Sequence, residues 1–221
     1  MPRRTKDEAE ITRGLLLDAA ERVFQVKGVA ATSLADIAQE ARLSRGAIYW
    51  HFRDKDDLYN AMLQRVSLPL ELAFHRAALA GADSDPLLEL RRAFAGVLHQ
   101  VVTDPQTRRV LEVVTQKVEY GDAHSTVRTR HLQTREVFVR HIQRGLVASA
   151  RWRGSQLASP LTAARGLHAL LDGLVQNWIL QPDGFDLKKV GNHSIEKFLQ
   201  GLGLRTPPGT RTRQTSTPRH T

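Results

Sequence analysis

The chain has 221 residues, of which 41% are hydrophobic, and its length allows a core in one or two domains. The complete lack of cysteine excludes disulfides, thiolate metal sites and cysteine nucleophiles. The net charge of +9 favours polyanionic partners, and no apolar run approaches the ~20 residues of a membrane span, so we expect a cytoplasmic protein without a membrane partner.

Apolar residues recur at helical spacing along most of the chain, and no stretch alternates as a strand would. The first predicted helix has an apolar stripe that begins at Ile11 and is widened by neighbouring positions. The stripe consists of Ile11, Leu15, Ala19 and Val23, and Leu16, Ala20 and Phe24 widen it. Gly28 follows a lysine and ends this helix. The pattern predicts an all-α fold of about nine helices.

Two short helices follow, joined by a turn of three residues. Thr32 or Ser33 can cap the first of them, and Asp36 can complete a capping box with Ser33. Ser44 can cap the second. The arrangement is that of a helix-turn-helix, in which the second helix enters the major groove of DNA.

On the second helix, Ile48 and Phe52 are four residues apart and are predicted to pack inward. The opposite face presents Arg45, which can donate to a base edge, and Gly46, which allows close approach. The segment from Arg42 to Lys55 holds four basic residues and one acidic residue. The candidate DNA-binding residues are Thr32, Ser33, Ser44, Arg45, Gly46, Ala47, Tyr49, Trp50, His51 and Lys55.

The run AATSLADIAQEARLSRGAIYWHFRDKDDLYNAML resembles the N-terminal signature of the TetR/AcrR family of bacterial transcriptional repressors. The resemblance is carried by Thr32, Ser33, Ile37, Ala38, Gly46, Ile48, Tyr49, His51, Phe52, Lys55 and Leu58. It implies a homodimer that binds double-stranded operator DNA and is released by a small molecule. The family usually has glycine where this chain has Arg42, and a left-handed backbone there would strain an arginine.

A long fourth helix begins after Asp54 and contains Pro69, which we expect to kink or divide it near Ser67. Five further helices are predicted, at residues 86–103, 105–120, 124–151, 160–181 and 187–203. We place a helix-turn-helix DNA-binding domain at 9–68 and a ligand-binding and dimerisation domain at 69–204. The Pro-, Thr- and Arg-rich segment 205–221 is predicted to be a disordered basic tail.

The segment GLVQNWILQPDGFDLKK, residues 173–189, is similar to a segment of AcrR and its relatives, which repress multidrug efflux pumps. In that branch the last two helices build the dimer as a four-helix bundle. The resemblance therefore implies core or dimer contacts for the apolar residues of these helices. They are Leu167, Leu171, Leu174, Val175, Trp178, Ile195 and Leu199.

The same family has a cavity in its helical domain for a hydrophobic or cationic effector. Apolar positions on one face of the fourth helix and on later helices are candidates to line it, although an ordinary core is the simpler explanation for each of them. Among polar candidates, Glu119 could pair with a cationic drug. The candidate ligand-binding residues are Met62, Val66, Leu70, Phe74, Phe94, Leu98, Leu111, Glu119, Phe138, His141 and Asn177.

Enzyme motifs are absent from the sequence. It has nine histidines but no HExxH, and neither a GxSxG nor a phosphate-binding glycine-rich loop. We therefore predict a non-enzymatic repressor without cofactor or metal, which controls an efflux operon. Two alternatives stay open: a related regulator of metabolic genes with a narrow ligand, and a small-molecule binding module whose helix-turn-helix is vestigial.

Overall fold

A computed structural model describes residues 6–79, 84–118 and 126–204 of the chain. Every regular element in these ranges is an α-helix, as the sequence predicts. The helices are α1 (Lys6–Lys27), α2 (Leu34–Glu40), α3 (Arg45–His51), α4 (Lys55–Ala78), α5 (Pro86–Thr103), α6 (Pro105–Gln116), α7 (Thr126–Trp152), α8 (Pro160–Leu180) and α9 (Leu187–Gly201). Glu119 and the predicted tail at 205–221 lie outside the described residues.

The short helices begin at the predicted caps. The Ser33 hydroxyl accepts the Asp36 N–H at 3.2 Å, and the Ser33 N–H donates to the Asp36 carboxylate at 2.9 Å, which completes a capping box. Ser44 caps α3 and Asp54 caps α4 through the same kind of bond to a backbone N–H. Because one such cap is worth about 1 kcal/mol, these local bonds define the ends of helices only seven residues long.

The first four helices share a small core. Ile37 and Ile48 are fully buried, and Phe52, which follows α3, is 2% exposed. The Arg13 guanidinium lies over the Phe52 ring at 5.2 Å from its centroid. The predicted inward packing of Ile48 and Phe52 is therefore confirmed.

The predicted stripe of α1 is buried only in part. Ile11 and Leu15 are 64% and 48% exposed, whereas Leu16 and Phe24, which widen the stripe, are fully buried. The other helices therefore cover the side of α1 on which Leu16 lies, and the contact of Arg13 with Phe52 lies within this first half of the helix. Helical spacing gives the period of an apolar stripe but not the side on which its neighbours lie.

Helix α4 runs without interruption from Lys55 to Ala78, so Pro69 does not divide it. A proline has no N–H to donate to the carbonyl four residues earlier, which here is that of Arg65. The α-helical ladder of α4 therefore lacks one bond at this point. The proposed domain boundary at residue 68 falls inside this helix, which both parts of the chain share.

Helices α5, α6 and α7 contact α4, while α8 packs on α7 and α9 packs on α5 and α8. A Cβ on Gly191 would lie 2.6 Å from Leu98, and a Cβ on Gly166 would lie 2.8 Å from Phe198. These two glycines thus let α9 approach α5 and α8 closely.

Candidate nucleic-acid interface and effector cavity

The outer face of α3 carries aromatic side chains that the protein does not bury. Tyr49 is 61% and Trp50 is 69% exposed, on a helix whose inner residue Ile48 is fully enclosed. The half-buried His51 ring stands edge-on to Trp50, with ring centroids 4.5 Å apart. Arg45 is exposed beside them. This face therefore presents hydrogen-bonding and cationic groups of the kinds that contact DNA.

Gly46 is not explained by packing inside the chain. A Cβ at this position would meet only Ser44 Oγ, at 3.9 Å, and the backbone is helical. A glycine within a helix costs about 0.5–1 kcal/mol relative to alanine. A close approach from outside the protein is the remaining physical use for it.

Two predicted DNA-binding residues hold the turn between α1 and α2. Thr32 is 3% exposed and its hydroxyl donates to the Gly28 carbonyl at 2.7 Å. The Lys55 ammonium donates to the carbonyls of Val29 and Ala30, at 2.7 and 2.9 Å. Both side chains thus have structural partners. Among the other candidates, Ser33 is an exposed cap and Ala47 is half-buried.

Sequence reasoning left two exposed cations out of the candidate set. Arg42 has a φ of 56°, so the turn does require the left-handed conformation that glycine tolerates best. Arg53 has a side chain that is 87% exposed, with Asp57 3.8 Å away. Together with Arg45 they place three arginines around α3.

A cavity of about 450 Å³ lies between α4, α6, α7 and α8, and a smaller one of about 110 Å³ adjoins it. Ligand pockets commonly occupy about 300–1,000 Å³. Five of the predicted ligand residues line these cavities. They are Val66, Leu70, Phe74, Leu111 and Phe138.

Other predicted ligand residues lie in the core or on the surface. Met62 and Leu98 are fully buried and line neither cavity. Phe94 packs edge-on against Phe74, with ring centroids 4.9 Å apart. Asn177 is exposed, and its amide donates to a carbonyl of its own helix. Their apolar or polar character alone did not reveal where their helices face.

His141 is also outside both cavities and faces α4 instead. Its ring is edge-on to that of His75, with centroids 5.2 Å apart. Burial lowers the pKa of His141, and His75 and nearby arginines add to this effect. This pair is thus a polar contact between α4 and α7.

One end of the larger cavity is polar, which sequence reasoning missed. His131 and Arg135 reach it from α7, and Arg165, His168 and Asp172 reach it from α8. Burial lowers the pKa of both histidines, although Asp172 opposes this effect. Their spacing on each helix, three or four residues apart, was the available signal, since such residues share a face.

Of the two roles predicted for the apolar residues of α8 and α9, core or dimer contact, most of these residues have the core role within a single chain. Six are at most 9% exposed, and a side chain enclosed by its own chain has little surface for a partner. These are Leu167, Leu171, Val175, Trp178, Ile195 and Leu199. Leu174 is half-buried, and the exposed large apolar residues of α8 and α9 are Leu161, Leu180 and Val190.

Helix α6 connects the cavity to the helix-turn-helix. Leu111 and Val114 on one face line the cavity. On the other face Gln106 donates to the Glu21 carboxylate of α1 at 3.0 Å. At the far end of α6, the N–H of Val29 donates to the Lys117 carbonyl at 3.0 Å.

The Glu21 carboxylate is the buried centre of this contact. Its side chain is completely enclosed, with Arg109 of α6 at 3.4 Å and Arg65 of α4 at 3.6 Å. Burial raises the pKa of Glu21, and the two arginines offset this only in part. Arg65 also pairs with Asp18 at 2.5 Å. Three helices therefore meet at one charged cluster.

Within the described ranges, no group of histidine and carboxylate side chains has an arrangement that would hold a metal ion. A search of the same residues finds no helix long and apolar enough to cross a membrane.

Comparison with known proteins agrees with this arrangement. The model of bacterial regulatory proteins of the tetR family matches residues 16–62. The model of the C-terminal region of MAATS-type transcriptional repressors matches residues 85–204. The HTH-type transcriptional regulator TtgR of Pseudomonas putida is 40% identical, over 96% of this chain and 100% of that protein.

Two solved structures share the fold. NalD, the secondary repressor of the MexAB-OprM multidrug efflux pump in Pseudomonas aeruginosa, superposes with a TM-score of 0.77 at 35% identity, covering 88% of this chain and 98% of NalD. The second is the complex of triclosan with SmeT, which represses a Stenotrophomonas maltophilia multidrug efflux pump. It superposes with a TM-score of 0.79 at 27% sequence identity, covering 95% of this chain and 100% of that chain. The chain belongs to the TetR family of bacterial regulatory proteins.

Proposed function

We propose that this protein represses transcription of a multidrug efflux operon and leaves its operator when a small molecule fills the cavity. The exposed outer face of α3 carries the proposal, because Gly46 there has no use inside the chain. Tyr49 and Trp50 lie on the same face, and three arginines surround it. The efflux operon is inferred from relatives such as NalD, which represses a multidrug efflux pump.

Release from DNA would be transmitted by α6. A molecule in the cavity touches Leu111 and Val114, and the opposite face of α6 holds Glu21 of α1. A displacement of α6 would therefore move α1, and with it α2 and the α3 that packs on α2. Such a switch needs the effector to prefer the conformation that does not fit DNA.

A near-palindromic operator requires two copies of the chain with their α3 helices about 34 Å apart. We propose that α8 and α9 supply the contact between copies through their exposed apolar residues. These include Leu161, Leu180 and Val190. Two further proposals concern single side chains: Arg45 donates to a base edge, and Tyr49 and His51 contact phosphates.

The test is fluorescence anisotropy with DNA from upstream of the protein's own gene, with random DNA as competitor. Wild type is compared with Gly46→Ala, whose added methyl group fits the free protein but would stand between α3 and the groove. We expect the variant to be at least as stable as wild type and to bind the operator at least about tenfold more weakly. An equally tight Gly46→Ala complex would contradict close approach of α3.

The same titration separates the alternatives. Binding through several phosphates weakens steeply between low and moderate salt, whereas a vestigial helix-turn-helix would bind all DNA weakly. Hydrophobic drugs that release the operator would favour the efflux repressor. Tight operator binding that no such drug affects would favour a regulator of metabolic genes with a narrow ligand.

A further inference from the structure

The larger cavity has an apolar body and a charged mouth. Leu63, Leu70 and Phe138 line the body, and all three are buried or half-buried. Arg135 and Arg165, which line the other end, are exposed to solvent. A bound molecule could therefore bury an apolar part while it kept a charged group at the protein surface.

The two arginines at this mouth have no partner within the described part of the chain. Neither Arg135 nor Arg165 has an ion pair or side-chain hydrogen bond among the described residues. The lining also holds two carboxylates, and one of them, that of Asp172, accepts a hydrogen bond from the Gln176 amide at 2.6 Å. The formal charges of the two arginines and the two carboxylates therefore balance, but both guanidinium groups keep their N–H donors available to a bound molecule.

The histidines at the mouth add hydrogen-bonding groups. Burial lowers the pKa of His131 and of His168, so both rings are neutral near neutral pH. A neutral imidazole has one N–H donor and one acceptor nitrogen. Both rings lie close enough to Arg135 for its charge to act on them. Basic and donor groups from two helices therefore converge at this end.

We propose that the cavity binds an apolar effector that carries an acidic group, with its carboxylate or ionised hydroxyl between Arg135 and Arg165. This inference rests on the proposed function and narrows its hydrophobic effectors to organic anions. An amine between Arg135 and Arg165 would meet two guanidinium groups, which can donate hydrogen bonds but not accept them. Like-charge repulsion from both arginines opposes a cation at that position.

The probes are 1-naphthoate, 1-naphthylmethanol and 1-naphthylmethylamine, which share a ring system and are anionic, neutral and cationic near neutral pH. Calorimetric titration of the full-length protein should give the tightest binding for naphthoate. Arg135→Gln and Arg165→Gln should each weaken naphthoate about threefold to fivefold, the range for a partly exposed charge pair. They should leave naphthylmethanol unchanged. Arg76→Gln is the matched control, since Arg76 is exposed on α4 outside the cavity.

The proposed preference for an anionic effector is overturned if naphthylmethanol or naphthylmethylamine binds as tightly as naphthoate, or if none of the three compounds binds. It is also overturned if Arg76→Gln weakens naphthoate as much as the cavity variants do. Operator binding is followed in parallel by anisotropy. If naphthoate binds with the expected dependence on Arg135 and Arg165 but does not release the operator, the ligand class stands and the proposed release mechanism fails.

Discussion

Replacing Arg42 by glycine should stabilise the protein. With a φ of 56°, Arg42 occupies the left-handed region in the turn between α2 and α3. That conformation costs an L-residue about 1–2 kcal/mol, and the greater freedom of glycine in the unfolded chain offsets about 0.5–1 kcal/mol. The net gain is about 0.5–1 kcal/mol, which for a chain of this length raises Tm by about 1–4 °C.

Thermal and urea unfolding followed by circular dichroism measure this gain. The matched control is Arg42→Ala, which removes the same guanidinium but keeps a Cβ in the left-handed turn. Only the glycine variant should gain stability. If the two variants have the same Tm and the same urea midpoint, the positive φ stores no appreciable strain and the reasoning is refuted.

The same pair of variants tests a DNA contact by Arg42. If its guanidinium neutralises a phosphate, both variants should reduce the salt dependence of operator binding, by about 0.9 in the logarithmic slope for each copy of the chain. Both variants lose the charge of Arg42, but only Arg42→Gly relieves the backbone strain. The effect on DNA binding can therefore be separated from the effect on stability. An unchanged slope in both variants would exclude a phosphate contact by Arg42.

Three further predictions concern stability. Gly191→Ala places a Cβ 2.6 Å from Leu98 and should cost about 1–3 kcal/mol in a urea titration, whereas Gly96→Ala, which meets nothing within 4 Å, should gain about 0.5–1 kcal/mol. Ser44→Ala removes the cap of α3 and should cost about 1 kcal/mol, while Ser44→Gly should cost only a few tenths. Burial raises the pKa of Glu21 above its usual 4.5, so the folded state binds this proton more tightly than the unfolded chain does. The free energy of unfolding should therefore fall as the pH rises from about 4.5 through the raised pKa. Glu21→Gln should remove this fall when unfolding is measured as a function of pH, and an equal fall in the variant would show that other groups cause it.

The sequence predicts best what is determined locally. The capping box of Ser33 and Asp36 and the caps at Ser44 and Asp54 involve residues three positions from their partners. Such bonds form wherever the helix begins, whatever packs against it. The inward packing of Ile48 and Phe52 was likewise predicted correctly from their spacing on one short helix.

Contacts between distant helices were predicted less well. Leu15 is apolar at the expected spacing, yet it lies on a side of α1 that stays exposed, while its neighbour Leu16 is fully buried. Spacing left open whether Leu167 is a core or a dimer contact, and it is enclosed by its own chain. His168 joins the cavity only because α7 and α8 face each other there. The period of a helix does not specify which neighbour each face meets, so these positions needed the structure.

The missing backbone bond at Pro69 makes the mechanical compliance of α4 uneven along its length. The carbonyl that lacks its donor four residues later belongs to Arg65, whose guanidinium contacts Asp18 and Glu21 of α1. Val66 and Leu70, on either side of this point, line the cavity. A helix bends most easily where one of its backbone hydrogen bonds is missing. Helix α4 is therefore most flexible beside the residues that line the cavity and beside its contact with α1. The rest of α4 can remain stiff and carry the displacement to its ends.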